Sequence, residues 1–240
     1  YQTFFETSSS TYDVELASVT IAGSVVVPGE GPVVWDGGGV GSDWCTDGNW
    51  DGDTVPTSVS DVTIDTAGTM TTDGCADGDI DFSTLTIGTT NAAILELTPL
   101  IGTGGSITIA NNGTLTQNTS STQTISGTLT VEGGATGGTL THTANVADQL
   151  YEIDIQAQNI DIQAGGTVDV DYKGYTSENG PGTAAQVSWG SGASHGGNGG
   201  IGNGGSVPGD GYCNITNVAT IGSGGGPSGA NIGGAGGGLI

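Results

Sequence analysis

Thr84-Leu85-Thr86-Ile87, Ile94-Leu95-Glu96-Leu97, Ile107-Thr108-Ile109, Thr114-Leu115-Thr116 and Thr128-Leu129-Thr130-Val131 follow one another through the middle of the chain. Thr139-Leu140-Thr141, Ile153-Asp154-Ile155, Ile160-Asp161-Ile162 and Val168-Asp169-Val170 continue the series. In each segment aliphatic residues alternate with Thr, Asp or Glu, the period of two that marks a strand with one buried face. Gly, Asn or Ser-Thr clusters punctuate the segments. Strands this short bury their apolar face only by stacking, coil upon coil, around a narrow shared core. The stretch from Ser83 to Tyr172 therefore predicts an all-β chain folded as a β-solenoid, a right-handed parallel β-helix. The step between segments varies over roughly seven to fourteen residues, which fits several short strands per irregular coil better than a strict penta- or hexapeptide repeat. A β-sandwich with short strands is the alternative that the same turn signals allow.

Composition narrows the function classes. The chain has 240 residues, 48 of them Gly, and its hydrophobic fraction of 34% suits a thin stacked core rather than a thick globular one. It carries 25 acidic residues against one basic residue, Lys173, for a formal charge of −24. Nucleic-acid binding needs a Lys/Arg footprint to release counterions, so no nucleic-acid partner is expected, and the charge equally argues against adhesion to anionic membranes through basic residues. No apolar run is long enough to span a bilayer. Such acidity is tolerable in salty water, where the screening length falls to ~3 Å at 1 M, or where divalent cations neutralise carboxylates. Scarce Lys and Arg also deny trypsin-like proteases their sites, which suits an extracellular or cell-surface protein. A first residue of Tyr1 is expected for a processed product or a piece of a longer protein, and Gly236-Gly237-Gly238-Leu239-Ile240 reads as the start of a further strand.

Four sections follow from the pattern. Residues 1–34 hold an aromatic patch and two alternating segments, Tyr12 to Leu16 and Val19 to Val27, before the stop Pro28-Gly29-Glu30-Gly31-Pro32. They are expected to form a cap strand or, as a sharper alternative, an arm donated to a neighbouring subunit by strand addition. Residues 35–66 hold Trp35-Asp36-Gly37-Gly38-Gly39, Asp43-Trp44, Asn49-Trp50, Gly52, Val55-Pro56 and Asp61-Val62-Thr63-Ile64. In order and spacing these resemble the module with W-x-G-G-G, N-W, then G and P, and D-V-x-I that opens secreted bacterial β-helix proteins, including autotransporter-like and surface-adhesin passengers. The resemblance implies that the Trp residues form a lid at one end of the helix and that the D-V-x-I strand begins the coils. It makes Trp44, Trp50, Pro56 and Ile64 structural, with sugar stacking by an exposed Trp as the alternative. Residues 67–172 are the Thr-rich coils. Residues 173–240 are glycine-rich and resemble glycine-rich inserts of large secreted β-helix proteins. Their interspersed Ile201, Val207, Tyr212, Ile215, Val218, Ile221 and Ile232 predict an ordered stack of extended strands rather than a loose loop. Cys45 and Cys75 both sit in Asp/Gly loops beside the first strands and are expected to pair, leaving Cys213 free or intermolecular.

Candidate chemistry is sparse. Asp47, Asn49 and Asp51 alternate as calcium ligands do, with Gly52 sixth and Asp53 following, but the twelfth position is Ser58 instead of an acid. Asp77, Asp79 and Asp81 form a second alternating run, whose like charges invite a bridging cation. Calcium is thus the candidate cofactor, weighed against ordinary Asp-Gly turn chemistry. Gly192-Ala193-Ser194-His195-Gly196 matches G-x-S-x-G without the strand–turn–helix that a nucleophile elbow needs. Gly200, Gly202 and Gly205 match G-x-G-x-x-G without a βαβ unit. Polysaccharide lyases and hydrolases share the fold, yet the acids Asp154/Asp161 and Asp169/Asp171 have no Arg and only Lys173 to work with, so no enzyme activity is expected. Lys173 could also enter an isopeptide crosslink or merely counter its acidic neighbours. The Thr-Leu-Thr units resemble the ladders of ice-binding solenoids, but their spacing at 84, 114, 128 and 139 is unequal. Asn112, Asn118 and Asn214 lie in N-x-S/T sequons and are candidate glycosylation sites. The expectation is a structural or adhesive protein that forms homo-oligomers or polymers through end-to-end β contacts or its N-terminal arm. Binding or cleavage of glycans is the alternative, and ice binding is the third.

Overall fold

The computed structural model of the protein describes residues 32–75, 79–98, 100–184, 190–203, 207–213, 216 and 219–240. Nearly all of the expected arm or cap at 1–34 lies outside these residues. The fold is a parallel β-helix of about five turns with no α-helix among the described residues. Every pairing between its strands is parallel, which removes the β-sandwich alternative, because a sandwich of hairpins and Greek keys is antiparallel.

Three sheets line the stack. The first contains β1 (Val33–Val34), β2 (Asp61–Ile64), β4 (Asp79–Ile87), β6 (Leu100–Ile109), β9 (Thr128–Val131) and β12 (Asn159–Ile162), in that spatial order. The second runs through β3 (Gly68–Thr71), β5 (Ala93–Leu97), β7 (Thr114–Gln117), β10 (Thr139–His142) and β13 (Thr167–Asp169). The third is the short pair β8 (Gln123–Thr124) and β11 (Ile155–Gln156). The chain visits the first two sheets in turn, so each coil adds one strand to each.

Register follows from the alternation, because a one-residue slip would turn every aliphatic residue outward. Val62, Leu85, Ile107, Leu129 and Ile160 stack in one inward column, and Ile64, Ile87, Ile109, Val131 and Ile162 in the next. Met70, Leu95, Leu115, Leu140 and Val168 face them from the second sheet. Coils lie so close at one corner that side chains cannot fit there. A Cβ on Gly113 would strike the Ile87 carbonyl, and one on Gly138 the Ile109 carbonyl. Irregular coil lengths leave backbone groups without ladder partners, and buried amides take them up. Gln123 Oε1 accepts the Ile101 N–H, and Gln117 Oε1 accepts that of Asp154. Asn145 Oδ1 accepts the N–H groups of both Leu150 and Tyr151.

The two ends of the stack differ. At the N-terminal end Trp44 and Trp50 are buried with ring centroids 4.8 Å apart, and Trp35 meets Trp50 edge-on at 5.1 Å. Such edge contacts suit the ring quadrupoles, and the Trp50 Nε1–H finds the Trp44 carbonyl at 2.7 Å. Trp44 also leans on Phe82, which begins the core proper. At the other end β12 and β13 are the outermost strands of their sheets, and Ile160 and Ile162 face inward but are 56% and 50% exposed. The glycine-rich section packs beside this end, the Gly238 N–H bonding the Val170 carbonyl and the Ile153 N–H the Leu239 carbonyl. Its own extended segments bond one another, Gly174 to Gly236, Tyr175 to Gly222 and Gly225 to Gly234 among them. Among the described residues these segments form no strand ladder, and carbonyls of neighbouring segments occupy the space of any Cβ on Gly224 or Gly236.

Candidate functional site

The loop before the first coil is tied down by its own residues. Cys45 and Cys75 form a disulfide with Cα atoms 5.1 Å apart. Asp43 clamps the same two loops: its Oδ1 accepts the Cys45 N–H and its Oδ2 the Gly74 N–H. Asp43, Cys45 and Cys75 form the one group of three acid, His or Cys donors close enough for a metal among the described residues. The disulfide engages both sulfurs, so this group is a structural staple.

The expected calcium loop is assembled differently. Asn49 is fully buried; its Oδ1 accepts the Gly39 N–H at 3.0 Å, and its Nδ2 donates to the Asp43 carbonyl at 3.0 Å. The sequence spacing alone could not show that this amide faces inward. Asp47, Asp51 and Asp53 are exposed, and Asp47 Oδ1 accepts the N–H of Gly48. Asp53 adopts a left-handed backbone, φ 51°, in the turn after Gly52. Asp77 lies outside the described residues. Asp79 and Asp81 share the outward face of β4, and Asp81 Oδ1 accepts the Thr103 N–H.

The catalytic matches also acquire structural partners. Ser194 is buried, donates its hydroxyl to the Gly209 carbonyl and accepts the Gly199 N–H. His195 Nε2 donates to the Thr220 carbonyl instead of serving Ser194. Asp154 accepts the Thr122 hydroxyl, whereas Asp161 stands on the outward face of β12 in the first sheet. Asp169 Oδ1 accepts the Asp171 N–H across a turn. Burial pushes the Tyr212 hydroxyl above its ordinary pKa, and that hydroxyl donates to the Ile221 carbonyl. Asn112 and Asn118 are half-buried, with side-chain amides bound to the Thr90 carbonyl and the Thr98 hydroxyl. Asn214 lies outside the described residues.

Two surfaces remain that the fold presents without satisfying. One is the open end, where Leu129, Leu140, Ile153, Ile160, Ile162 and Val168 line an apolar hollow of about 300 Å³ that Ile240 also borders. The other is the outer face of the first sheet, and here the unequal Thr spacing is resolved. Thr84 and Thr128 belong to the first sheet, while Thr114 and Thr139 belong to the second, so one list interleaves two ladders. Within the first sheet Thr63, Thr86, Thr108 and Thr130 are in register, neighbouring coils being separated by 22 or 23 residues. Compared with the models of known protein families, with curated proteins and with solved structures, the chain matches none.

Proposed function

We propose that this chain is an extracellular structural or adhesive β-helix, a subunit or segment of a cell-surface fibre, layer or adhesin that associates through its open end. The supporting observation is the contrast between the ends: three Trp residues close one, while the other leaves Ile160 and Ile162 half in water beside strand edges that pair with no further strand among the described residues. An outer strand edge is a template for another strand, and a further coil placed there would continue both sheets. Completing the burial of each Ile is worth roughly 1 kcal/mol, about half the ~1.5–3 kcal/mol of a whole aliphatic side chain. The Cys45–Cys75 bond supports an oxidising compartment.

Electron microscopy of the purified chain at rising concentration tests this reading. Rods or sheets that grow with concentration are expected, and the double variant Ile160→Lys, Ile162→Lys should stay monomeric with an unchanged circular dichroism spectrum. Monodisperse single particles of the wild type at every concentration would refute association through this end. Repeating the series with calcium and with a chelator separates a cation-bridged contact from a purely apolar one.

A further inference from the structure

The outward face of β2, β4, β6 and β9 repeats in two dimensions. One column is Thr63, Thr86, Thr108 and Thr130. Two residues earlier on each strand, Thr84 and Ser106 are in register, and Thr128 follows with its N–H on Ser106 Oγ. Neighbouring strands repeat at ~4.8 Å and alternate residues along a strand at ~6.6 Å, so the side chains fall on a near-rectangular net. Thr84 is exposed and the others are half-exposed. The Thr84 hydroxyl donates to Asp61. Those of Thr86, Thr108 and Thr130 have no hydrogen-bond partner in the protein among the described residues, although each can donate once and accept twice. β-Branching holds the methyl and hydroxyl groups in few rotamers, so the net is rigid before it meets a ligand.

Charge and aromaticity point to the ligand. In a chain with 25 acids, the rows Thr84, Ser106, Thr128 and Thr86, Thr108, Thr130 carry none; acids flank them, Asp61 on β2, Asp161 on β12, and Asp79 and Asp81 earlier on the outward face of β4. No aromatic ring stands on it, whereas sugar recognition draws on aromatic platforms. A neutral, rigid, two-dimensional array of donors, acceptors and methyl groups matches a neutral crystalline lattice of donors and acceptors. We propose that this face binds ice. The second sheet does not repeat the arrangement: Ile94 and Glu96 interrupt its columns, and the Thr141 hydroxyl is spent on the Asp169 carbonyl. The inference is independent of end-to-end assembly, since the net lies on the side of the stack and is complete in one chain.

The test freezes a dilute solution of the full chain slowly from a cold finger and compares protein in the ice with protein in the remaining liquid. The wild type should be enriched in ice. Thr108→Tyr, which raises a ring from the centre of the net but keeps a strand-favouring residue, should lower that enrichment about tenfold, equivalent to ~1.4 kcal/mol of contact free energy. Thr116→Tyr, on the second sheet, should leave it unchanged. Thr86→Tyr supplies the same reading if Thr108→Tyr does not fold, as judged by circular dichroism. Exclusion of the wild type from ice overturns the proposal, and so does equal loss in Thr108→Tyr and Thr116→Tyr. Retention on powdered cellulose or chitin without enrichment in ice would also overturn it, reassigning the face to a crystalline polysaccharide.

Discussion

Ile107 and Ile160 occupy the same inward column two coils apart, yet Ile107 is 1% exposed and Ile160 is 56% exposed. Truncating each to Ala therefore removes the same atoms from different surroundings. At Ile107 the change forfeits the full transfer free energy and leaves a cavity between Leu85 and Leu129, a loss of ~3–4 kcal/mol. At Ile160 less than half of the transfer is at stake and no closed cavity forms, so the loss is ~1 kcal/mol. For a chain of this size these correspond to falls in Tm of roughly 6–16 °C and 2–4 °C. Urea unfolding of dilute protein, followed by far-ultraviolet circular dichroism and by Trp emission, reads both, the emission being weighted towards the closed end. Solenoids can unfold in parts, so the two signals need separate midpoints. Equal losses at the two sites would mean that the end is covered in solution, and the asymmetry between the ends would be refuted.

Three further outcomes follow from the same structure. Cys45→Ser removes a link across 30 residues and should cost ~2–4 kcal/mol, read as a lower urea midpoint that reductant reproduces in the wild type. Burial holds His142 below its ordinary pKa; the Thr143 carbonyl and Glu152 oppose this, while Lys173 adds to it. Its Nδ1–H donates to Thr143 and its Nε2 accepts the Leu239 N–H, so the folded chain keeps a neutral ring. The unfolded chain therefore takes up the proton first as pH falls through ~6.5. Stability should be level above that value and decline below it, and the decline should shrink in His142→Gln; identical pH profiles would contradict the assignment. Because the Asn49 amide is already engaged, Asp51→Asn should leave both the urea midpoint and its response to calcium within ~0.5 kcal/mol of the wild type. A larger calcium-dependent shift would restore the loop as a cation site.

The alternation of Leu85, Ile87, Ile107, Ile109, Leu129 and Val131 made the stacked fold legible, while a sandwich of short strands stayed open until the parallel pairing removed it. The Trp lid was expected from the resemblance of residues 35–66 to the opening module of secreted β-helix proteins, and Trp44 and Trp50 are indeed buried at that end. What stayed hidden depends on direction rather than type. Asn49 reads as a loop ligand until its neighbours turn it inward, and Gln117, Gln123 and Asn145 look like surface amides until irregular coils leave backbone groups for them to satisfy. The Thr net was obscured by interleaving: the chain alternates between sheets, so residues adjacent in space are 22 apart in sequence while nearer Thr-Leu-Thr units lie on another side. Ser106-Ile107-Thr108, at that interval from both neighbouring units, was the signal that could have revealed it.

Both functional proposals rest on the coil-to-coil register, and a pair of cysteines tests it directly. Adjacent strands place Thr86 and Thr108 side by side, at a separation of ~4.8 Å that a disulfide accepts. Thr86 and Thr116 point outward from different sheets and are too far apart to join. In a Cys213→Ser background, Thr86→Cys with Thr108→Cys should oxidise to a peptic fragment carrying both residues, and Thr86→Cys with Thr116→Cys should not. Crosslinking of the second pair in preference to the first would contradict the register and, with it, both the open end and the hydroxyl net.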